Sequence, residues 1–345
     1  MAKRIRVGVV GCGFFAANHL QAWQDLRAEG ADLVGVCDRD PAKADAAAKA
    51  FQSAAFTDLE RMIATVRPDV LDIVTQMGAH RELAGIAARH GIAAIVQKPL
   101  APDWESSCAI VGTARTAGTF LAIHENFRFQ LPMLRVKAVL DSGEIGQPSW
   151  ARLAFRTGFD VYKTQPYFLT EKRLAILDVG IHVLDLARVF LGEVAHVSCE
   201  TQRRNPRVEA EDTATMLLKH QSGAVSLVEC TYESRREPDP FPETLVEIEG
   251  EKGMITLSAG LEMKVTANGR SRIERVEPPL APWMSKPWHV AQESVVETNR
   301  HMLRALQAGR AADTSGEDNL KTYALVEAAY QAAAEGRAIT PPVIT

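Results

Sequence analysis

Apolar residues in the first third of the chain come in short, β-branched runs, at 5–10, 33–37, 70–74, 92–96 and 119–123, broken by a charge only at Arg6 and Asp72. Runs this short with no polar alternation read as strands buried on both faces, as in a parallel sheet. Between them lie helical patterns. Residues 41–51 are rich in Ala and Lys, with Asp40 placed to cap and Pro41 at the first helical position. Thr57 and Asp58 cap a short helix, 80–90 form a helix stopped by Gly91, and 103–118 form another. After residue 124 the grammar changes. A helix is predicted over 132–142, and strand-like segments over 148–155, 195–201, 213–219, 224–232, 244–249 and 254–258. One helix, 177–191, interrupts them, and helices 291–308 and 317–335 close the chain. The pattern predicts an α/β protein. A doubly wound parallel Rossmann sheet over 1–124 precedes an α+β domain over 125–345 with a large, mostly antiparallel sheet. The last helix is expected to return to the first domain.

The first strand runs into Gly11-x-Gly13-x-x-Ala16. Gly11 permits a tight turn, Gly13 lets backbone approach a pyrophosphate, and Ala16 lets the next helix pack close. That helix offers unpaired N–H groups and a positive dipole end to phosphates. The second strand ends in Asp38, at the spacing of a ribose-binding carboxylate. A dinucleotide is therefore expected at Gly11, Gly13, Phe14, Phe15, Asp38 and Arg39.

Composition narrows the classes. The chain has 345 residues, 46% hydrophobic and 24% charged, with net charge −4. These values suit a globular protein of two cores. The short basic loop 202–207 is too small to read as a nucleic-acid arm. Five irregularly spaced cysteines, with no CxxC pair, indicate neither a disulfide framework nor a zinc site, and no metal is expected. Cys12 and Cys37 read as small packed hydrophobes. No apolar leader precedes the first strand, and no run of about 18 apolar residues occurs. The expectation is a cytoplasmic protein with no membrane partner.

Two segments carry candidate chemistry. Gln97-Lys98-Pro99 ends a predicted parallel strand, at the sheet edge where ligands bind. A lysine there is either solvated or aimed at cofactor and substrate, and Pro99 is either a plain terminator or a shaped bend. Asp178-x-Gly-x-His182-x-x-Asp185 lies among apolar residues. Four residues apart on a helix, Asp178 and His182 share a face. Either Asp178 caps the helix over a core histidine, or both serve chemistry. Asn126, just past the last Rossmann strand, is a boundary turn residue or a nicotinamide and substrate contact. Gln165, in the 162–167 segment, is a candidate substrate contact. So is His289, after Trp288, unless that pair staples a helix. His19 and His90 read as helix-surface residues, and 209–212 as a solvated acidic loop.

Taken in order, the glycine turn, Asp38, Lys98-Pro99, His124-Glu-Asn126, the Asp178/His182 motif and the closing 315–337 segment resemble the glucose–fructose oxidoreductase, inositol dehydrogenase and rhizopine-catabolism (Gfo/Idh/MocA) family. The resemblance covers nearly the whole chain. It departs at Gln97, where the family usually has Glu, and at Met77, in a loop that often holds proline; Thr75 and His80 fit. The resemblance implies an NAD(P)-dependent oxidoreductase of sugars or polyols. Lys98, Asp178 and His182 would form the catalytic and substrate-binding group, and Thr75, His80, Gln97, Lys98 and Asn126 further cofactor contacts.

NAD is expected over NADP because Asp38 would repel a 2′-phosphate. Oxidation at an anomeric carbon would give a lactone. A branched pentose such as apiose, or an anhydrosugar, is a candidate substrate. A glycosidase using NAD for transient oxidation and a dinucleotide-sensing regulator are the alternatives. A homodimer or homotetramer is expected, through apolar residues such as Val225, Leu227 and Val228 on an uncovered sheet face.

Overall fold

The computed structural model describes residues 3–344. These fall into two compact units. The first holds the chain up to Asn126 together with Val295–Leu320. The second holds Phe127–Ser294 and Lys321–Val343.

The first unit alternates strand and helix: β1 (Ile5–Val10), α1 (Ala16–Asp25), β2 (Ala31–Cys37), α2 (Pro41–Phe51), β3 (Ala54–Phe56), α3 (Leu59–Val66), β4 (Val70–Ile73), α4 (His80–Arg89), β5 (Ala93–Gln97), α5 (Trp104–Ala117) and β6 (Leu121–His124). The caps explain several starts. Asp40 accepts from Ala42 N at 3.0 Å before Pro41, and Asp58 from Arg61 N at 2.7 Å. Sheet order is β3-β2-β1-β4-β5-β6, with every pair parallel. This is the doubly wound order, and its switch point lies between β1 and β4. The chain returns to β6 much later. Ala122 bridges to Ser315, and Ile123 N donates to Thr314 O at 2.8 Å.

The second unit contains α6 (Leu131–Asp141), β7 (Pro148–Arg156), a π-turn (Ile176–Gly180), α7 (Ile181–Leu191), β8 (Val194–Gln202), β9 (Thr213–His220), β10 (Val225–Thr231), β11 (Leu245–Gly250), β12 (Gly253–Ser258), β13 (Glu262–Ala267) and β14 (Arg270–Arg275). The sheet runs β14-β13-β12-β11-β7-β10-β9-β8. Only β7 and β10 pair in parallel; the other pairs are antiparallel. One face buries Ala214, Met216, Leu218 and Val228. The other leaves Leu217 51% exposed, with Val225 and Leu227 partly so. Val228 therefore belongs to the covered face, a correction to its expected place.

Two long helices close the chain, α8 (His289–Ala308) and α9 (Gly316–Glu335). The division between the units falls inside both. Among the described residues no helix is long and apolar enough to cross a membrane. The fold class is as the pattern predicts, with three strands added: β3, β13 and β14.

Candidate active site

The glycine turn is built as the phosphate-binding reading requires. Gly11 takes φ +96°, and a Cβ there would lie 2.6 Å from the Val74 carbonyl oxygen. A side chain at Gly13 would meet nothing within 4 Å. Phe15, at the start of α1, gives no side-chain cap; Ala16 N donates to Gly13 O and Asn18 N to Phe15 O, both at 3.1 Å, so the turn closes on its own backbone and the positive end of the helix dipole faces the glycine loop. Phe14 is 72% exposed. Asp38 stands at the end of β2, where Oδ2 accepts from Cys12 N at 2.7 Å and Oδ1 from Asp40 N at 2.9 Å. Each oxygen keeps lone-pair capacity for a ribose hydroxyl. Arg39 beside it is exposed. Burial, and then Asp38, push the Cys12 thiol up to about 12, so Cys12 is a packed neutral thiol.

Thr75 Oγ1, just past β4, is buried with no hydrogen-bond partner among the described residues. An orphaned hydroxyl at the ligand edge, the open space at Gly13 and the uncapped helix start together fit a dinucleotide. His80 Nδ1 lies 3.0 Å from Leu100 O and its Nε2 3.0 Å from Thr75 O. It is almost fully buried, and burial holds its pKa below the usual histidine value. As a neutral ring His80 can donate to only one of these two carbonyl oxygens at a time.

Lys98 follows β5, partly exposed, in a cis peptide to Pro99. Gln97 beneath it is buried: its Oε1 accepts from Lys98 N at 2.7 Å and its Nε2 lies 3.0 Å from His19 Nε2. His19 is fully buried, not on a helix surface as the pattern suggested, and its Nδ1 is 2.9 Å from Asp72. The sequence reading missed this pair. The signal was present, because His19 and Trp23 are four apart and both point inward from α1. His124 lies against His19 with ring centroids 4.1 Å apart, and its Nε2 is 3.0 Å from Asn299 Oδ1. Burial holds His124 down at about 3. Asn126 is 5% exposed at the end of this unit's first segment.

In the second unit Asp178 lies inside the π-turn, and His182 follows in the first turn of α7. Asp178 is not a cap; it accepts a short hydrogen bond from the Tyr232 hydroxyl. Burial, and then Asp178, push the Tyr232 phenol well above its ordinary value, so it stays a donor. The π-turn shifts the helical phase between the two motif residues, a feature that recurs at functional sites. His182 is 2% exposed, and Phe127 stacks on its ring at 3.8 Å with planes 1° apart. Asp185 faces elsewhere. It accepts from both arms of Arg128, at 2.7 Å for Nε, and from Thr322 at 2.7 Å. It anchors the helix.

Gln165 accepts from the Tyr167 hydroxyl at 2.7 Å. His289 Nδ1 lies 3.2 Å from Pro287 O, and its Nε2 3.4 Å from Glu277. Trp288 beside it packs edge-on against Phe159 and Phe241. The 209–212 loop is not simply solvated. Asp212 is fully buried and accepts from Arg204 N and Asn205 N. Glu211 accepts from Tyr330 at 2.6 Å and from Leu174 N and Ile176 N, which fastens the segment entering the π-turn. Among the described residues no group of three or more His, Cys, Asp or Glu side chains could hold a metal ion.

Residues 5–162 match the oxidoreductase family with an NAD-binding Rossmann fold, and residues 133–256 match the GFO/IDH/MocA C-terminal domain. The chain belongs to the Gfo/Idh/MocA family. Within that family it is similar to the D-apiose dehydrogenase of Rhizobium rhizogenes, 44% identical over 336 residues that cover 97% of each chain. It is 42% identical to the D-apiose dehydrogenase of Paraburkholderia graminis over 338 residues, 98% of this chain and 90% of that one. A crystal structure of an Agrobacterium radiobacter oxidoreductase in complex with NAD+, L-tartaric acid and magnesium superposes with a TM-score of 0.95, at 44% identity and 98% coverage of both chains. As a Gfo/Idh/MocA member this protein is an NAD-binding sugar dehydrogenase acting on a CH–OH group.

Proposed function

We propose that the chain oxidises D-apiose, or a branched pentose close to it, with NAD. The observation that carries this reading is the 44% identity, across 97% of both chains, to the D-apiose dehydrogenase of Rhizobium rhizogenes. Bound NAD accepts a hydride at nicotinamide C4. The protein has to remove the hydroxyl proton and stabilise the charge left on oxygen. His182 takes the proton, since an imidazole exchanges protons near neutral pH. Phe127, stacked on the ring, fixes its plane. Lys98 donates to the reacting oxygen and stabilises developing alkoxide charge. Asp178, held by Tyr232, accepts from a sugar hydroxyl. Gln165 and His289 add polar contacts for the sugar, and Asn126 serves nicotinamide or substrate. Oxidation at the anomeric carbon of the furanose gives a lactone. Asp38 sets the cofactor by accepting from both ribose hydroxyls and repelling a 2′-phosphate.

Absorbance of reduced nicotinamide tests this on a panel of pentoses, hexoses, inositols and anhydrosugars. D-Apiose with NAD is expected to give the highest kcat/KM, with a lower value for NADP because exposed Arg39 only partly offsets Asp38. A higher kcat/KM on inositol or an anhydrosugar removes the substrate assignment. Net NADH formation excludes both a glycosidase that recycles its cofactor and a sensor without turnover.

The open sheet face supports self-association as a dimer or tetramer. Leu217 and the partly exposed Val225 and Leu227 lie on one face of the sheet. Light scattering in dilute solution should show a mass of at least twice 37.7 kDa. A lone 37.7 kDa species is the contrary result.

A further inference from the structure

Three polar side chains of the first unit lie sealed beneath the Lys98 turn. His19 and Asp72 are fully buried and Gln97 is 8% exposed. Polar groups this deep destabilise a core unless each is bonded, so the direction of every bond matters. That direction can be worked out from one end. A backbone N–H can only donate, so the Gln97 atom 2.7 Å from Lys98 N is the carbonyl oxygen. The amide nitrogen of Gln97 must then face His19, and it donates to His19 Nε2 at 3.0 Å. That ring nitrogen is an acceptor and carries no proton. The ring proton sits on Nδ1 and is donated to Asp72 Oδ2 at 2.9 Å. Asp72 Oδ2 also accepts from Trp23 Nε1 at 2.7 Å. Burial pushes this carboxyl up, and the hydrogen bonds donated by His19 and Trp23 favour its ionised form. Every donor points the same way, from the Lys98 backbone to one buried carboxylate.

We infer that His19 is a positioning residue for the catalytic lysine: the Asp72–His19–Gln97 chain clamps the Lys98 backbone, with His19 Nδ1 as donor and Nε2 as acceptor. The inference rests on the assignment of Lys98 to catalysis. The groups facing His19 are Asp72 from β4, Gln97 from β5, His124 from β6, and Phe15 and Trp23 from its own end of the chain. Asp72 is the only charge among them, because His124 stays neutral.

Gln97→Glu tests the clamp. Glutamate keeps the shape of Gln97 and its acceptor for Lys98 N, but it has no proton to give His19 Nε2. The contacts to the introduced glutamate and to Asp72 can both form only if His19 carries a proton on each ring nitrogen, since moving its one proton to Nε2 would break the bond to Asp72. Two carboxylates around one imidazolium carry the same net charge, −1, as one carboxylate beside a neutral ring, so the variant cluster holds together while that proton is present. It comes apart as pH rises. The expected result is a ratio of variant to wild-type kcat that falls about tenfold or more between about pH 6 and pH 9, as one clamping hydrogen bond is lost. KM for NAD should stay within about threefold of wild type at each pH, since the glycine turn and Asp38 are untouched. A ratio independent of pH overturns the inference. His19→Phe keeps a ring and removes both nitrogens; if it folds, its kcat should drop about tenfold at every pH, and a kcat within about twofold of wild type also overturns the inference. Lys98→Met is run alongside. If it keeps more than about a tenth of wild-type kcat, the catalytic assignment of Lys98 is what fails. If it is inactive while Gln97→Glu tracks wild type at all pH values, only the clamp fails.

Discussion

His182→Ala and Lys98→Met should each nearly abolish turnover and leave NAD binding close to that of wild type. Removing a positioned proton acceptor costs about 10²–10⁴ in kcat. Removing a donor to a developing oxyanion costs about 10²–10³. In the proposed site cofactor affinity rests on other parts: the φ +96° turn at Gly11, the open space at Gly13 and the carboxylate of Asp38. Steady-state rates on the best sugar, paired with NAD titration followed by protein fluorescence, separate the two effects. Wild-type kcat/KM should also fall toward acid pH, because only neutral imidazole accepts a proton. If His182→Ala keeps more than about a tenth of wild-type kcat, well above the loss expected for a proton acceptor, His182 is not the base.

Arg128→Met is the substitution expected to harm stability most. Asp185 is fully buried and Arg128 nearly so. Their two-armed contact leaves Asp185 with only Thr322 at 2.7 Å and Arg188 at 3.8 Å once the guanidinium is gone. Stranding a buried carboxylate in this way typically costs about 3–5 kcal/mol, whereas replacing both partners by apolar groups is often close to neutral. Urea unfolding should therefore show a large loss in Arg128→Met and recovery of most of it in Arg128→Met/Asp185→Leu. A single variant within about 1 kcal/mol of wild type, far below that cost, means Arg188 and Thr322 suffice for Asp185.

Periodicity read the architecture well wherever an element was long or deeply buried. The five apolar runs of the first unit all became parallel strands, four inside the sheet and β6 at its end, because a strand covered on both faces has no polar alternation to confuse it. β3 escaped because Ala54–Phe56 is three residues long and mostly alanine. The β13–β14 hairpin was legible and was passed over. Asn268-Gly269 joins two alternating segments with both residues at positive φ, the conformation a tight two-residue turn needs. The candidate site was legible where a residue directly follows a strand, as with Gly11, Asp38 and Lys98. It was not legible where a side chain works through partners distant in sequence. Arg128 meets Asp185 57 positions away, Tyr232 meets Asp178 54 away, and His19 meets Gln97 78 away. Only the fold creates those pairs. Position 97 shows the difference most plainly, since Gln in place of the family's Glu reads as a departure in sequence and as a directional hydrogen-bond donor in the structure.

The first unit is discontinuous along the chain, and this governs the order in which the protein can come into being. Its β6 strand leans on Thr314 and Ser315, and its buried His124 leans on Asn299. During synthesis the ribosome must emit the whole second sheet before these partners exist. The cofactor-binding half should therefore reach its native form late, after most of its neighbour has been made. A gene fragment ending at Asn126 is an unfinished part, and any chimaera that transplants this nucleotide module has to carry residues 295–320 along with it.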